Sequence, residues 1–132
     1  MLPLPPGTIL QLMYLNERLS KLKPGSFIEV GPGSGEVSNV LLKKGWRGCA
    51  YDLEDETILR LQERFKVEIN KGSYQASTKD FFDLNPNLIE GVDLFISSMV
   101  IEHLPDELES RFMEKSSLLL NKGGRRIGLV PS

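Results

Sequence analysis

The run Phe27-Ile28-Glu29-Val30-Gly31-Pro32-Gly33-Ser34-Gly35-Glu36-Val37 constrains this chain more than any other. A short apolar strand leads into three glycines at alternate positions, and a helical pattern follows. Glycines let a backbone turn tightly and approach a ligand with no Cβ in the way. A strand, a glycine turn and a helix in that order open a Rossmann-like parallel sheet that takes a nucleotide-like ligand at its strand ends. Glu29 narrows the ligand class. An acid beside the turn repels a pyrophosphate and tolerates a cationic amino-acid group.

The spacing separates two kinds of glycine turn. A dinucleotide fingerprint reads G-x-G-x-x-G. Here the third glycine comes one residue early, at Gly35, and Glu36 stands where that fingerprint needs glycine. The pattern E-x-G-x-G-x-G, carried by Glu29, Gly31, Gly33 and Gly35, resembles motif I of the class I S-adenosylmethionine-dependent methyltransferases. The resemblance implies that S-adenosyl-L-methionine is the cofactor. Glu29 would then hold its ammonium group through the turn or a water, and the glycines would let the backbone reach its methionine and ribose.

Composition bounds the rest. A length of 132 residues suffices for one domain with one core. The net charge of -2 gives no broad basic footprint for nucleic acid or anionic membrane. The short basic runs Lys43-Lys44 with Arg47, and Lys122 with Arg125-Arg126, read as helix-end cations. One cysteine, Cys49, excludes an internal disulfide and reads as a small core residue. The longest apolar runs are strand-sized, so a cytoplasmic protein without a membrane span is expected.

Periodicity places the elements. A helix capped by Thr8 runs to about Lys21 and stops at Lys23-Pro24-Gly25. Strands are expected over 26–30, 46–51, 74–77, 92–98 and 125–130, and helices over 36–44, 54–65 and 106–120. Gly45 is expected to end the second helix, and 81–88 to be a turn or short helix. Lys122-Gly123-Gly124 reads as a turn before the last strand. The alternation predicts an α/β fold: a doubly wound, mostly parallel sheet of order 3-2-1-4-5 with right-handed crossovers.

Further acids follow the strand ends. Asp52 closes the second strand, where it can accept two ribose hydroxyls; a helix N-cap is the other role open to it, and Asp55 is free to do that capping. The resemblance implies that Asp52 and Leu53 bind cofactor. It also implies that Asp80 accepts from the adenine amino group and that Phe81 packs on the ring. Asp80-Phe81-Phe82-Asp83 can also be an ordinary loop, with Asp83 as the binding acid.

The segment Ser97-Ser98-Met99-Val100-Ile101-Glu102-His103-Leu104 resembles the family's segment after the fourth strand. Backbone at Ser97 and Ser98 would face the cofactor's methionine. His103, the single histidine, would be a general base or else a helix-packing residue. A metal-binding Glu-x-x-Glu-His pattern is incomplete because Met99 holds the first position, so no metal is expected. The Asn/Asp-Pro-Pro-Tyr motif of amino-group methylases on adenine or glutamine is absent, which argues against those substrates and not against a small-molecule oxygen, nitrogen or carbon; a small-molecule acceptor is expected.

The resemblance runs from Glu29 to Val130. The family's core usually adds a two-strand edge hairpin, so a C-terminally incomplete domain spanning 1–132 is expected, with self-association through the bare fifth strand. Two other readings stand beside methyl transfer. One is a nicotinamide-dependent oxidoreductase, which shares the fold and Asp52. The other is a non-catalytic module that keeps the fold to bind a partner or cofactor.

Overall fold

The structure is a computed structural model that describes residues 6–98 and 105–129. Five strands form one sheet: β1 (Ser26–Val30), β2 (Arg47–Asp52), β3 (Tyr74–Thr78), β4 (Val92–Ser98) and β5 (Leu120–Leu129). Their order is β3-β2-β1-β4-β5, and every neighbouring pair is parallel. This is the expected α/β order. It follows from crossovers that leave β1 for one side of the sheet and reach β4 on the other.

The described residues hold five α-helices: α1 (Pro6–Ser20) ahead of β1, then α2 (Glu36–Lys43), α3 (Asp55–Arg64), α4 (Lys66–Asn70) and α5 (Asp106–Leu119) between strands. The last four residues of β1 are buried, as a strand covered on both faces must be. One face packs Phe27, Leu94 and Ile96 against Leu15, Leu41, Leu61 and Phe65. The other packs Ile28 and Phe95 against Phe81, Phe112 and Leu119. Because side chains alternate across a strand, neighbouring residues Phe27 and Ile28 serve different cores.

Several boundaries differ from the expectation. The first helix begins at Pro6, so Thr8 lies within it and is not its cap; proline suits a first helical position, whose N–H has no partner in the helix. Asp55 is the first residue of α3, and the N-cap residue is Glu54, which makes no side-chain capping bond. Helix α4, five residues with Val67 and Ile69 apolar, lies ahead of β3 where no helix was expected. Phe81–Asp83 is a single 3₁₀ turn. Strand β5 begins five residues before its expected start. Leu120 pairs with Val92 and Arg125 with Leu94, so the glycines 123 and 124 form an irregularity within the strand instead of a turn ahead of it. Gly45, with φ 92°, follows the C-cap of α2 as expected.

Candidate functional site at the carboxyl ends of the strands

The glycine turn leaves β1 where β1 and β2 run in register, Val30 opposite Tyr51. The Gly31 N–H donates to the Tyr51 carbonyl oxygen at 3.1 Å, so turn and β2 end stay together past the last β1 residue. Asp52 is the next residue on β2 and pairs with Thr78 of β3. The turn and this acid are thereby neighbours at the switch between crossovers.

The glycines do different work. Gly33 has φ 56°, and a Cβ there would meet nothing within 4 Å. Its bare face opens outward. Gly35 has φ 93°, and a Cβ there would lie 2.7 Å from Phe65 Cε2 and 2.8 Å from Leu61 Cδ2. Gly35 is therefore glycine because α3 packs against the turn, a reason separate from any ligand.

Asp52 and Asp80 are oriented in the same way. Asp52 Oδ1 accepts from the Glu54 N–H at 3.0 Å, and Asp80 Oδ1 accepts from the Phe82 N–H at 2.9 Å. Each is an Asx turn, in which a side chain bonds its own backbone two residues on. One oxygen of each carboxylate is used to hold the other in place. Asp80 and Asp83 both line a cleft of about 590 Å³ with Leu53, Leu84 and Leu88. Leu53 is 70% exposed and Leu88 82% exposed, which gives the cleft an uncovered apolar surface. Leu88 carries no sequence signal of a site; it is one leucine in a polar loop.

Phe81 sits differently from the expected ring contact. It is buried, with its ring centroid 4.6 Å from Phe112 and 5.4 Å from Phe95. Ser97 is also buried, at the end of β4 between Val30 and Gly128. Ser98 closes that strand. His103 and the rest of Met99 to Leu104 lie outside the described residues.

Glu29 lies behind the turn. Its carboxyl is fully buried on the face covered by α2 and α3. Oε1 accepts from Ser38 Oγ at 2.6 Å, Ser38 Oγ lies 2.9 Å from the Tyr74 hydroxyl, and Oε2 is buried without a hydrogen-bond partner. Burial pushes the Glu29 carboxyl up to about 7, against the opposing pull of the Ser38 bond. Burial likewise raises the Tyr74 phenol. The sequence placed an acid beside the turn and gave no sign of its buried partner Ser38 or of Tyr74 beyond it.

Another hollow, of about 420 Å³, is lined by Ser26, Arg47, Gly48, Asp93 and Asn121 near the amino ends of the strands. Among the described residues no cluster of His, Cys, Asp and Glu is arranged to hold a metal, and no helix is long and apolar enough to cross a membrane.

Comparison with known proteins adds three findings. A family described as a methyltransferase domain matches residues 9–131. An uncharacterized methyltransferase of Bacillus cytotoxicus is 34% identical over 103 residues, which are 76% of this chain and 44% of that protein. The ribosomal RNA small subunit methyltransferase A of Mycoplasma mobile is 28% identical over 98 residues, 72% of this chain and 37% of that one. The chain thus spans less than half the length of these curated relatives. Among solved structures, the N-methyltransferase NodS of Bradyrhizobium japonicum, in complex with S-adenosyl-L-homocysteine, superposes with a TM-score of 0.77 at 20% identity. That match covers 93% of this chain and 61% of NodS.

Proposed function

Because the chain belongs to the methyltransferase-domain family, we propose that it binds S-adenosylmethionine and supports transfer of its methyl group to a small-molecule acceptor. One observation carries the reading: the outward-open glycine turn lies directly beside Asp52 at adjacent strand ends. A turn alone would be a fold feature; an oriented acid beside it supports a ligand site there.

The residues present fit that cofactor. The open space at Gly33 admits a ligand against the backbone. Asp52, held through Oδ1, offers its carboxylate to the ribose hydroxyls. Asp80, held in the same way, faces the cleft with Leu53, whose exposed side chain suits one face of an adenine ring. Phe81 supports that wall from within the core. Backbone at Ser97 and Ser98 closes the site from β4. Glu29 acts through the turn, as its burial requires, by holding Ser38 of α2 against the strand from which the turn leaves.

When bound, S-adenosylmethionine supplies an already activated methyl group on a sulfonium. The chain's own task is alignment and exclusion of water, which demands no catalytic dyad. In the family resemblance His103 is the residue available as a general base toward the acceptor. A soluble, cytoplasmic setting and an acceptor other than nucleic acid agree with the mild net charge of -2.

Calorimetry with S-adenosylmethionine, with its demethylated product and with reduced nicotinamide dinucleotide tests the proposal. Binding of the first two and not the third is expected. Preference for the nicotinamide cofactor would overturn it in favour of an oxidoreductase. Cofactor binding without methyl transfer to any acceptor would favour a non-catalytic module.

A further inference from the structure

We infer that Arg64 is a positioning residue for the cofactor, its guanidinium clamping the glycine turn to the end of α3; the inference rests on the S-adenosylmethionine site proposed above. Arg64 Nη1 donates to the Ser34 carbonyl oxygen at 2.7 Å and to Glu36 Oε1 at 2.8 Å. One acceptor belongs to the turn and the other to the first residue of the helix that follows it.

The two bonds differ in consequence. The Arg64–Glu36 ion pair keeps solvent access on both side chains, 35% and 24%, and such pairs stabilise little. The Ser34 carbonyl is a backbone group, and its direction sets the plane of the whole Ser34–Gly35 peptide. At the other end of that peptide, the Gly35 N–H donates to the Pro32 carbonyl oxygen at 3.0 Å. The peptide is held from both sides, one by the turn itself and one by α3.

Neighbours of Arg64 complete the clamp. Phe65 and Leu61 occupy the space a Cβ on Gly35 would need. The Arg64 Cζ lies 5.2 Å from the Phe65 ring centroid, so the guanidinium rests on the same ring that packs under the turn. At its other end, α3 is joined to Asp52 through Leu53 and the N-cap Glu54, whose N–H donates to Asp52 Oδ1. A single helix of 10 residues therefore starts three residues after Asp52 and ends at Arg64, which reaches the glycine turn. A ligand that engages Asp52 meets a turn already ordered by the same helix. Without the clamp, the ligand must order the turn as it binds, and that conformational cost lowers affinity.

The test uses the whole chain with Arg64→Met, Arg64→Lys and Glu36→Gln, and S-adenosyl-L-homocysteine as the calorimetric probe. Arg64→Met should bind about tenfold more weakly, within the range of residues that act through others. Arg64→Lys keeps a cationic donor for Ser34 and should recover part of the loss. Glu36→Gln keeps the Ser34 bond and should stay near the wild type. Amide hydrogen exchange at Gly33 to Val37 of the free protein should quicken in Arg64→Met alone. Leu119→Ala, in the core on the other face of the sheet, controls for general destabilisation. Unchanged affinity in Arg64→Met overturns the clamp. So does an affinity loss that Leu119→Ala reproduces when each variant is held equally far below its own melting temperature. A wild type that binds neither S-adenosylmethionine nor its product overturns the methyltransferase reading, and the clamp falls with it.

Discussion

Ser38 Oγ donates to Glu29 Oε1 at 2.6 Å, and this bond ties the first helix after the glycine turn to the strand before it. Both residues are fully buried, and Tyr74 of β3 lies on the far side of the Ser38 hydroxyl. The acid that marks the turn in the sequence is thus also a structural brace beneath it.

The brace makes stability depend on pH. Burial lifts the Glu29 carboxyl from 4.5 to about 7 in the folded protein. Between those values the folded chain keeps a proton that the unfolded chain releases. The contribution is therefore full below about 4.5 and is lost as pH rises through about 7. The upper bound is about 3 kcal/mol. Denaturant midpoints measured from pH 5 to 9 should fall toward the alkaline end in the wild type. Glu29→Gln should flatten that slope and be the more stable form at pH 8.

Removing the donor should be costly in its own right. Ser38→Ala leaves Glu29 Oε1 and the Tyr74 hydroxyl without their shared partner, at a cost of about 1–3 kcal/mol. A chemical melt reads this directly, and a change within error would show that the network does not brace the turn.

Gly33→Val and Gly35→Ala should fail in different ways. At Gly33 the added side chain points into open space, so the domain should fold, with a strain of about 1–3 kcal/mol, and lose S-adenosylmethionine binding. At Gly35 even one methyl group meets Phe65 and Leu61, so the melting temperature should drop more sharply. Paired melts and calorimetry separate the two; full affinity in a folded Gly33→Val would show that the turn cradles no cofactor.

Asp52→Ala should weaken cofactor binding by about 1.5–3 kcal/mol, the scale of hydrogen bonds to a charged group. Circular dichroism in the far ultraviolet should barely change, because α3 starts at Asp55 and Asp52 bonds only the Glu54 N–H ahead of it. A large loss of helicity with intact affinity would assign Asp52 to helix initiation instead.

Strand β5 pairs with β4 on one side and has no second strand neighbour among the described residues. A strand with one bare side recruits other chains. Sedimentation should show the mass of this 132-residue chain rising with concentration. A monomer at every concentration would refute edge pairing.

The sequence by itself determined the order of the sheet and pointed to the strand ends where the candidate site lies. Strand β4 was legible to the residue, because a buried parallel strand must be apolar on both faces. The glycine turn and Asp52 were legible because strand ends and tight turns are local events, written in adjacent residues. Helix α4 was not, since five residues are too few to show a helical period and no side chain caps them, and its place depends on the end of α3. The early start of β5 was hidden for a related reason: pairing with β4 overrides the local turn preference of Gly123 and Gly124. Tertiary structure alone decided which glycine faces open space and which faces Phe65, and that Glu29 turns inward to Ser38 and Tyr74. It alone set Arg64 on the Ser34 carbonyl oxygen. Those relations join residues 9 to 36 positions apart, and only the packing of α2 and α3 on a sheet that places β3 two strands from β1 brings such residues together.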